Sequence, residues 1–106
     1  MTSCTVTSTA AAERDVRDIA AYIASDNPTA ALRFAAEFAE ALNRIGLFPD
    51  SGHPLPSFDR PILVIRVSRR FRKYLVFYRK LDATTVEVVR VLHSARDLSQ
   101  LFAKTN

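Results

Sequence analysis

The run Arg14–Phe34, RDVRDIAAYIASDNPTAALRF, carries two helical patterns with a break between them. Val16, Ile19, Ala20 and Ile23 recur at i, i+3, i+4 and i+7, the spacing of one helix face. Asp15, Arg17 and Asp18 fall off that stripe, and acids near a helix start suit its macrodipole. The Asp26-Asn27-Pro28 break stops this helix near Ser25 and starts another. Asn27 is placed as an N-cap, and Pro28 sits at the first helical position, where its missing N–H has no partner to lose. The second stripe is Ala31, Phe34, Ala35, Phe38, Leu42 and Ile45, with Glu37, Glu40 and Asn43 facing away; it ends near Gly46 or Phe48, ahead of Pro49. Two helices joined this closely form a helical hairpin.

The flanks supply what the hairpin packs on. CTVTST (Cys4–Thr9) is short and β-branched and reads as a first strand. Pro49–Pro61 contains four of the five prolines and reads as a loop, His53 included. Then come Ile62–Val67, Lys73–Leu81 and Val86–His93, each the length and composition of a strand, joined by SRRFR and DATT, which are of hairpin length. The last two carry apolar residues on both faces, as strands central in a sheet do. ARDLSQLFAK closes the chain as a short helix or tail, with Leu98, Leu101 and Phe102 as anchors. The fold class is therefore α+β: an N-terminal strand, a helical hairpin, then a three-stranded antiparallel meander in one mostly antiparallel sheet, within a single domain over residues 1–106.

With 48 % hydrophobic and 25 % charged residues, the 106-residue chain has enough apolar material for one core and no sign of disorder. It has no apolar run near the roughly 20 residues that span a bilayer, and its first residues lack the pattern of an export signal. Cys4 is the only cysteine, so no internal disulfide can form, and the expected compartment is the reducing cytoplasm. The net charge of +4 is uneven. Residues 1–53 hold four arginines and seven acids, whereas residues 54–106 hold eleven basic residues and four acids. Between Arg60 and Lys80 there are eight basic residues and no acid, which points to a face for an anionic partner.

Several residues carry two readings. His93 could act as a proton donor or acceptor near neutral pH, or could end a strand and bond the turn into SARDL. The turn reading is preferred, because a general base needs a nucleophile to activate and Ser94 beside it is no triad signature. Asp97 fits a capping carboxylate, with Arg96 pairing with it or reaching a partner. Arg66 lies in an otherwise apolar strand, where an unpaired buried charge is costly, so it must reach a groove edge or a partner. Tyr74, Val76 and Tyr78 alternate on one strand face, as core, as a protein groove or as a stacking platform for bases. With no Gly-rich phosphate loop and no metal-ligand spacing, no nucleotide cofactor and no metal are expected.

Four pieces together, RDVRDIAAYIASDNPTAALRF, FPDSGHP, KYLVFYR and VVRVLHSARDL, resemble the ParE branch of the RelE/ParE toxin superfamily, in order and over nearly the whole chain. The resemblance implies a toxin of a type II toxin–antitoxin module that binds a small cognate antitoxin and inhibits DNA gyrase, with no catalytic residues of its own. It also implies that the C-terminal end contributes to toxicity. The expected partner-binding set is Arg66, Arg69, Arg70, Arg72, Tyr74, Tyr78, Arg96, Leu98, Leu101 and Phe102. RelE-type relatives instead cut mRNA on the ribosome, with strand arginines and lysines holding phosphate. That alternative would make Arg66, Arg90, His93 and Arg96 the catalytic set. A third reading is a basic module that retains only antitoxin binding.

Overall fold

The helical hairpin forms around the junction that the sequence marks. In the computed structural model, which describes residues 3–55 and 61–97, α1 spans Ala10–Asp26 and α2 spans Pro28–Leu47. Asn27 serves both helices. Its backbone N–H donates to the Ile23 carbonyl to close α1, and its side-chain oxygen accepts from Ala30 N–H to open α2 behind Pro28. Ile19, Phe34, Ala41 and Ile45 are buried, and Ile19, Phe34 and Ile45 join the strand valines and tyrosines in one core cluster. Ala35, expected on the core stripe, is exposed, and Ala41 takes a buried place instead.

The strands are β1 (Thr5–Ser8), β2 (His53–Leu55), β3 (Ile62–Arg66), β4 (Tyr74–Lys80) and β5 (Thr85–His93), in the order β1-β5-β4-β3-β2. β1 runs parallel to β5, as the long connection between them through both helices and three strands allows, and the remaining pairs are antiparallel. β4 and β5 lie inside the sheet, as their two-sided apolar pattern requires. One expectation is corrected. His53 and Pro54 do not lie in a loop but in β2, which makes the meander four-stranded. Pro54 is tolerated because β2 is an edge strand, where a missing N–H removes no ladder bond on the open side. The expected C-terminal helix or tail, with Leu98, Leu101 and Phe102, lies outside the described residues.

A bulge in β5 sets what the sheet presents. Phe77 pairs with Arg90 and Tyr78 with Val88, leaving Val89 as the extra residue. Val86, Val88 and Val91 can then all be buried. Strict alternation from Val86 and Val88 would carry Arg90 into the core. The bulge is fastened at the hairpin's start: Thr9 caps α1 by accepting from Ala12 N–H, and its hydroxyl donates to the Val89 carbonyl at 2.8 Å.

FPDSGHP and KYLVFYR meet in space. The Tyr78 hydroxyl, at the end of a fully buried side chain, donates to the Pro49 carbonyl at 3.0 Å and accepts from Gly52 N–H at 2.9 Å. A Cβ at position 52 would lie 2.5 Å from that hydroxyl and 2.9 Å from Leu63 Cβ, so only glycine lets the backbone approach this closely. Burial raises the Tyr78 pKa above its ordinary value of 10.0, against the lowering effect of the Gly52 bond. The neutral phenol is thus the folded form, so its contribution is present below pH 10 and lost as pH rises through the raised value. Tyr78→Phe leaves Gly52 N–H buried without its partner and should cost about 1–2 kcal/mol. Urea denaturation measures this; an unchanged midpoint would show that the clasp contributes nothing.

Candidate partner-binding surface

The basic connection between β3 and β4 and the turn after β5 lie at one end of the sheet. Val67 N–H donates to the Tyr74 carbonyl, Tyr74 pairs with His93, and Ser94 N–H donates to the Lys73 carbonyl. Beneath this end is an aromatic cluster. Phe34 meets Phe71 and Tyr74 edge-on at 5.2 and 5.4 Å between centroids, and Tyr74 meets the His93 ring at 5.1 Å.

Beside the connection runs an open groove of about 520 Å³, lined by Glu37 and Arg44 of α2 and by Arg66, Ser68, Arg69 and Arg70. Among the described residues, β2 pairs with β3 only as far as Val64, and no strand pairs with the edge of β3 beyond it. There Arg44 Nη2 donates to the Arg66 and Val67 carbonyls at 3.2 and 3.0 Å. Glu37 sits 3.5 Å from Arg70 Nε, with the Arg70 side chain 57 % exposed. Arg66 is an exposed strand-end residue at a groove edge, which resolves the cost that its apolar strand raised. Arg72 is exposed on the same connection but does not line the groove.

Two expected contact residues are withdrawn. Tyr74 and Tyr78 are buried in the core against the hairpin, at 9 % and 0 % exposure, and are not offered to a partner. Conversely, Arg44 and Glu37 belong to the groove, although neither stands out in the sequence as a contact residue. They lie seven residues apart, two helical turns along one face of α2, a spacing that could have grouped them.

Of the residues of the RNA-cutting alternative, Arg90, His93 and Arg96 are separately engaged, and Arg66 lies exposed at the groove. Arg90 makes a two-pronged ion pair with Asp15 of α1, Nε to Oδ2 at 2.7 Å and Nη2 to Oδ1 at 3.0 Å. The same carboxylate accepts Val91 N–H at 3.0 Å, on the part of the β5 edge that β1 does not reach. Asp15 raises the Arg90 pKa further above its already high value. Arg96 lies over the Tyr22 ring, 4.7 Å from its centroid. Arg66 is two strands away from Arg90.

His93 caps the turn that follows it. Its Nδ1 accepts from Ala95 and Arg96 N–H at 3.1 and 3.3 Å. Asp97 completes a reciprocal box: its carboxylate accepts His93 N–H at 2.8 Å, and its N–H donates to the His93 carbonyl at 2.9 Å. An accepting Nδ1 places the proton of the neutral ring on Nε2. Burial lowers the His93 pKa, Arg96 and Lys73 add to this, and Asp97 opposes it. The unfolded ring, near 6.5, therefore binds a proton more readily than the folded one. The stability this cap contributes is full above about pH 6.5 and is lost as pH falls toward the lowered value. His93→Asn keeps an acceptor near the Nδ1 position without the titration. Its stability should fall less steeply between about pH 7 and pH 5 than that of the unaltered chain; equal slopes would show that the ring is not the titrating cap.

Among the described residues, no group of three or more metal-ligating side chains occurs and no helix is long and apolar enough to cross a membrane. No curated protein matches the chain. Among solved structures, the chain is similar to the "Chromosomal ParDE TA system from P. aeruginosa", with a TM-score of 0.69 at 15 % identity, covering 85 % of this chain and 95 % of that one. At that identity the likeness speaks for the fold. The family model for the ParE toxin of the type II toxin–antitoxin system parDE matches residues 6–98, from β1 through the capped turn after β5. The helical hairpin, the Tyr78 clasp and the His93–Asp97 box thus all fall within the matched span, and the chain belongs to the ParE toxin family of type II toxin–antitoxin systems.

Proposed function

We propose that this toxin acts in the cytoplasm by binding DNA gyrase, not by cutting RNA, and that a cognate antitoxin neutralises it by occupying its basic surface. The observation that carries this reading is the engagement of Arg90 and His93, two members of the candidate catalytic set. The Arg90 guanidinium is committed to Asp15, and the accepting nitrogen of His93 is filled by two backbone N–H groups. A general base must have its lone pair free to reach a proton. What remains available are exposed arginines at one end of the sheet, which suit recognition of an anionic protein surface. The similar solved structure is titled as a ParDE TA system, which supports the antitoxin partner.

Induction in growing cells tests the proposal. Gyrase binding should give filamentation and DNA-damage signalling while translation continues, and co-expression of the antitoxin should restore growth. Rapid arrest of translation without DNA damage would favour the RNA-cutting reading, and no growth effect at normal expression would favour a module that only binds antitoxin.

A further inference from the structure

We infer that the sheet face opposite the helical hairpin is closed by the chain's own residues 98–106, with Leu98, Leu101 and Phe102 seated against Phe77 and Leu92. The register sorts the sheet's side chains into two faces. Tyr74, Val76 and Tyr78 share the core cluster with Phe34 and Ile45 of α2, so they mark the hairpin side. Leu75 and Phe77 alternate with them and lie on the other face. Their register partners there are Arg66 and Val64 of β3 and Leu92 and Arg90 of β5, with Ile62 two residues from Val64. None of Ile62, Val64, Leu75, Phe77 and Leu92 belongs to the cluster that the hairpin completes, nor packs against it. Yet Phe77 is 3 % exposed and Leu92 4 %. An antiparallel sheet can leave one face in water, but such a face does not hide a phenylalanine ring to this degree. The charged neighbours are held elsewhere. Arg79 is tied at 2.9 Å to Glu87, its register partner on β5, and Arg90 to Asp15 of α1.

Place, reach and pattern name the occupant. Ser94 N–H donates toward β4, to the Lys73 carbonyl, whereas His93 N–H, one residue earlier, is taken by Asp97. Successive amides of a strand point to opposite edges, so Asp97 stands at the edge of β5 that faces away from β4, on the strand that carries Leu92. The nine residues that follow reach about 13 Å as a helix or about 30 Å extended, and Phe77 lies one strand in from β5, roughly 5 Å further. Leu98, Leu101 and Phe102 recur at i, i+3 and i+4, one stripe, and Ser99, Gln100 and Lys104 fall off it. The three apolar anchors are then internal packing, and the polar residues of the segment are what it leaves to a partner.

The test uses the full chain. Leu101→Ala and Phe102→Ala should each raise the unfolding constant, measured in urea, by about tenfold or more, as loss of a packed side chain does. A segment standing free of the sheet gives a change of about twofold or less, and that result would overturn the inference. Phe77→Ala combined with Phe102→Ala should raise the constant by less than the product of the single effects; a simple product would also overturn it. The same readout separates other occupants. Coupling of Phe77 to Phe58 and not to Phe102 would assign the cover to residues 56–60. Unfolding that shifts with protein concentration would assign it to a second copy. Either result overturns the inference. Should Phe77→Ala fail to fold, nuclear Overhauser contacts of the Phe77 ring in the unaltered chain decide: contacts to Leu98, Leu101 or Phe102 are expected, and their absence overturns it.

Discussion

Replacing Phe34 by alanine should remove about 3–5 kcal/mol of stability, a large share of the roughly 5–15 kcal/mol available to a domain of this size. Phe34 is 0 % exposed and joins α2 to the sheet end. Besides its two edge-on contacts with Phe71 and Tyr74, it lies nearly parallel to Phe38 at 6.3 Å. Each such pair adds about 0.5–1.5 kcal/mol beyond area burial, so the truncation loses transfer energy, ring contacts and packing at once. The effect extends to the surface. Phe71 sits in the connection that carries Arg69 and Arg70, with its N–H on the Ser68 hydroxyl. Losing Phe34 removes what that connection rests on, so partner affinity should fall along with stability. Leu32→Ala is the control on the same helix: Leu32 is 74 % exposed, and its loss should change stability by less than about 0.5 kcal/mol. Chemical denaturation distinguishes them, and equal midpoints for the two variants would contradict the packing described.

Asp15→Ala should cost about 2–4 kcal/mol. One carboxylate accepts three hydrogen bonds, two from Arg90 and one from Val91 N–H. The Asp15 side chain is 14 % exposed and that of Arg90 is 35 % exposed, so the value lies toward the lower end of what breaking a buried pair costs. Removing the acid leaves a half-buried guanidinium without its partner and an edge amide without an acceptor. Removing both partners should be milder than the sum of the single losses, because Arg90→Ala takes away the stranded charge. A double-mutant cycle measures the coupling, and strict additivity of the two costs would show that the pair does not interact. By contrast, Lys80–Asp50 at 3.0 Å is an exposed pair from which no comparable effect is expected.

The hairpin is legible in the sequence because its signals are local. Asn27 and Pro28 act within a few residues of themselves, and the Val16 to Ile23 stripe needs only a helical period. The elements that escape such a reading depend on non-local partners. β2 is hidden by Pro54 within it and the prolines that flank it, since a proline-rich run reads as a loop until an edge position makes Pro54 acceptable. In VEVVRV the valines run on both faces, and only pairing with β4 reveals that Val89 is the bulge and that Arg90 escapes the core. Arg44 shows its charge in the sequence, but not that the carbonyls of Arg66 and Val67 wait for it. Alternation places Tyr74 and Tyr78 on one face. Whether that face is open or covered depends on where the hairpin lies, which alternation alone cannot state. The turn role expected of His93 is the one it takes; Asp97, expected to cap the last helical segment, bonds back to the His93 N–H, and four hydrogen bonds to backbone groups hold the two residues there.

A toxin that poisons by binding gyrase must act on the enzyme directly and leave RNA alone. The most direct measurement is gyrase supercoiling of relaxed plasmid with purified toxin, run beside a translation extract in which mRNA cleavage is followed by primer extension. The binding mechanism predicts loss of supercoiling or accumulation of cleaved plasmid, reversed by antitoxin, with His93→Gln retaining the effect and intact mRNA in the extract. Normal supercoiling together with ribosome-dependent mRNA cuts that His93→Gln abolishes would contradict it.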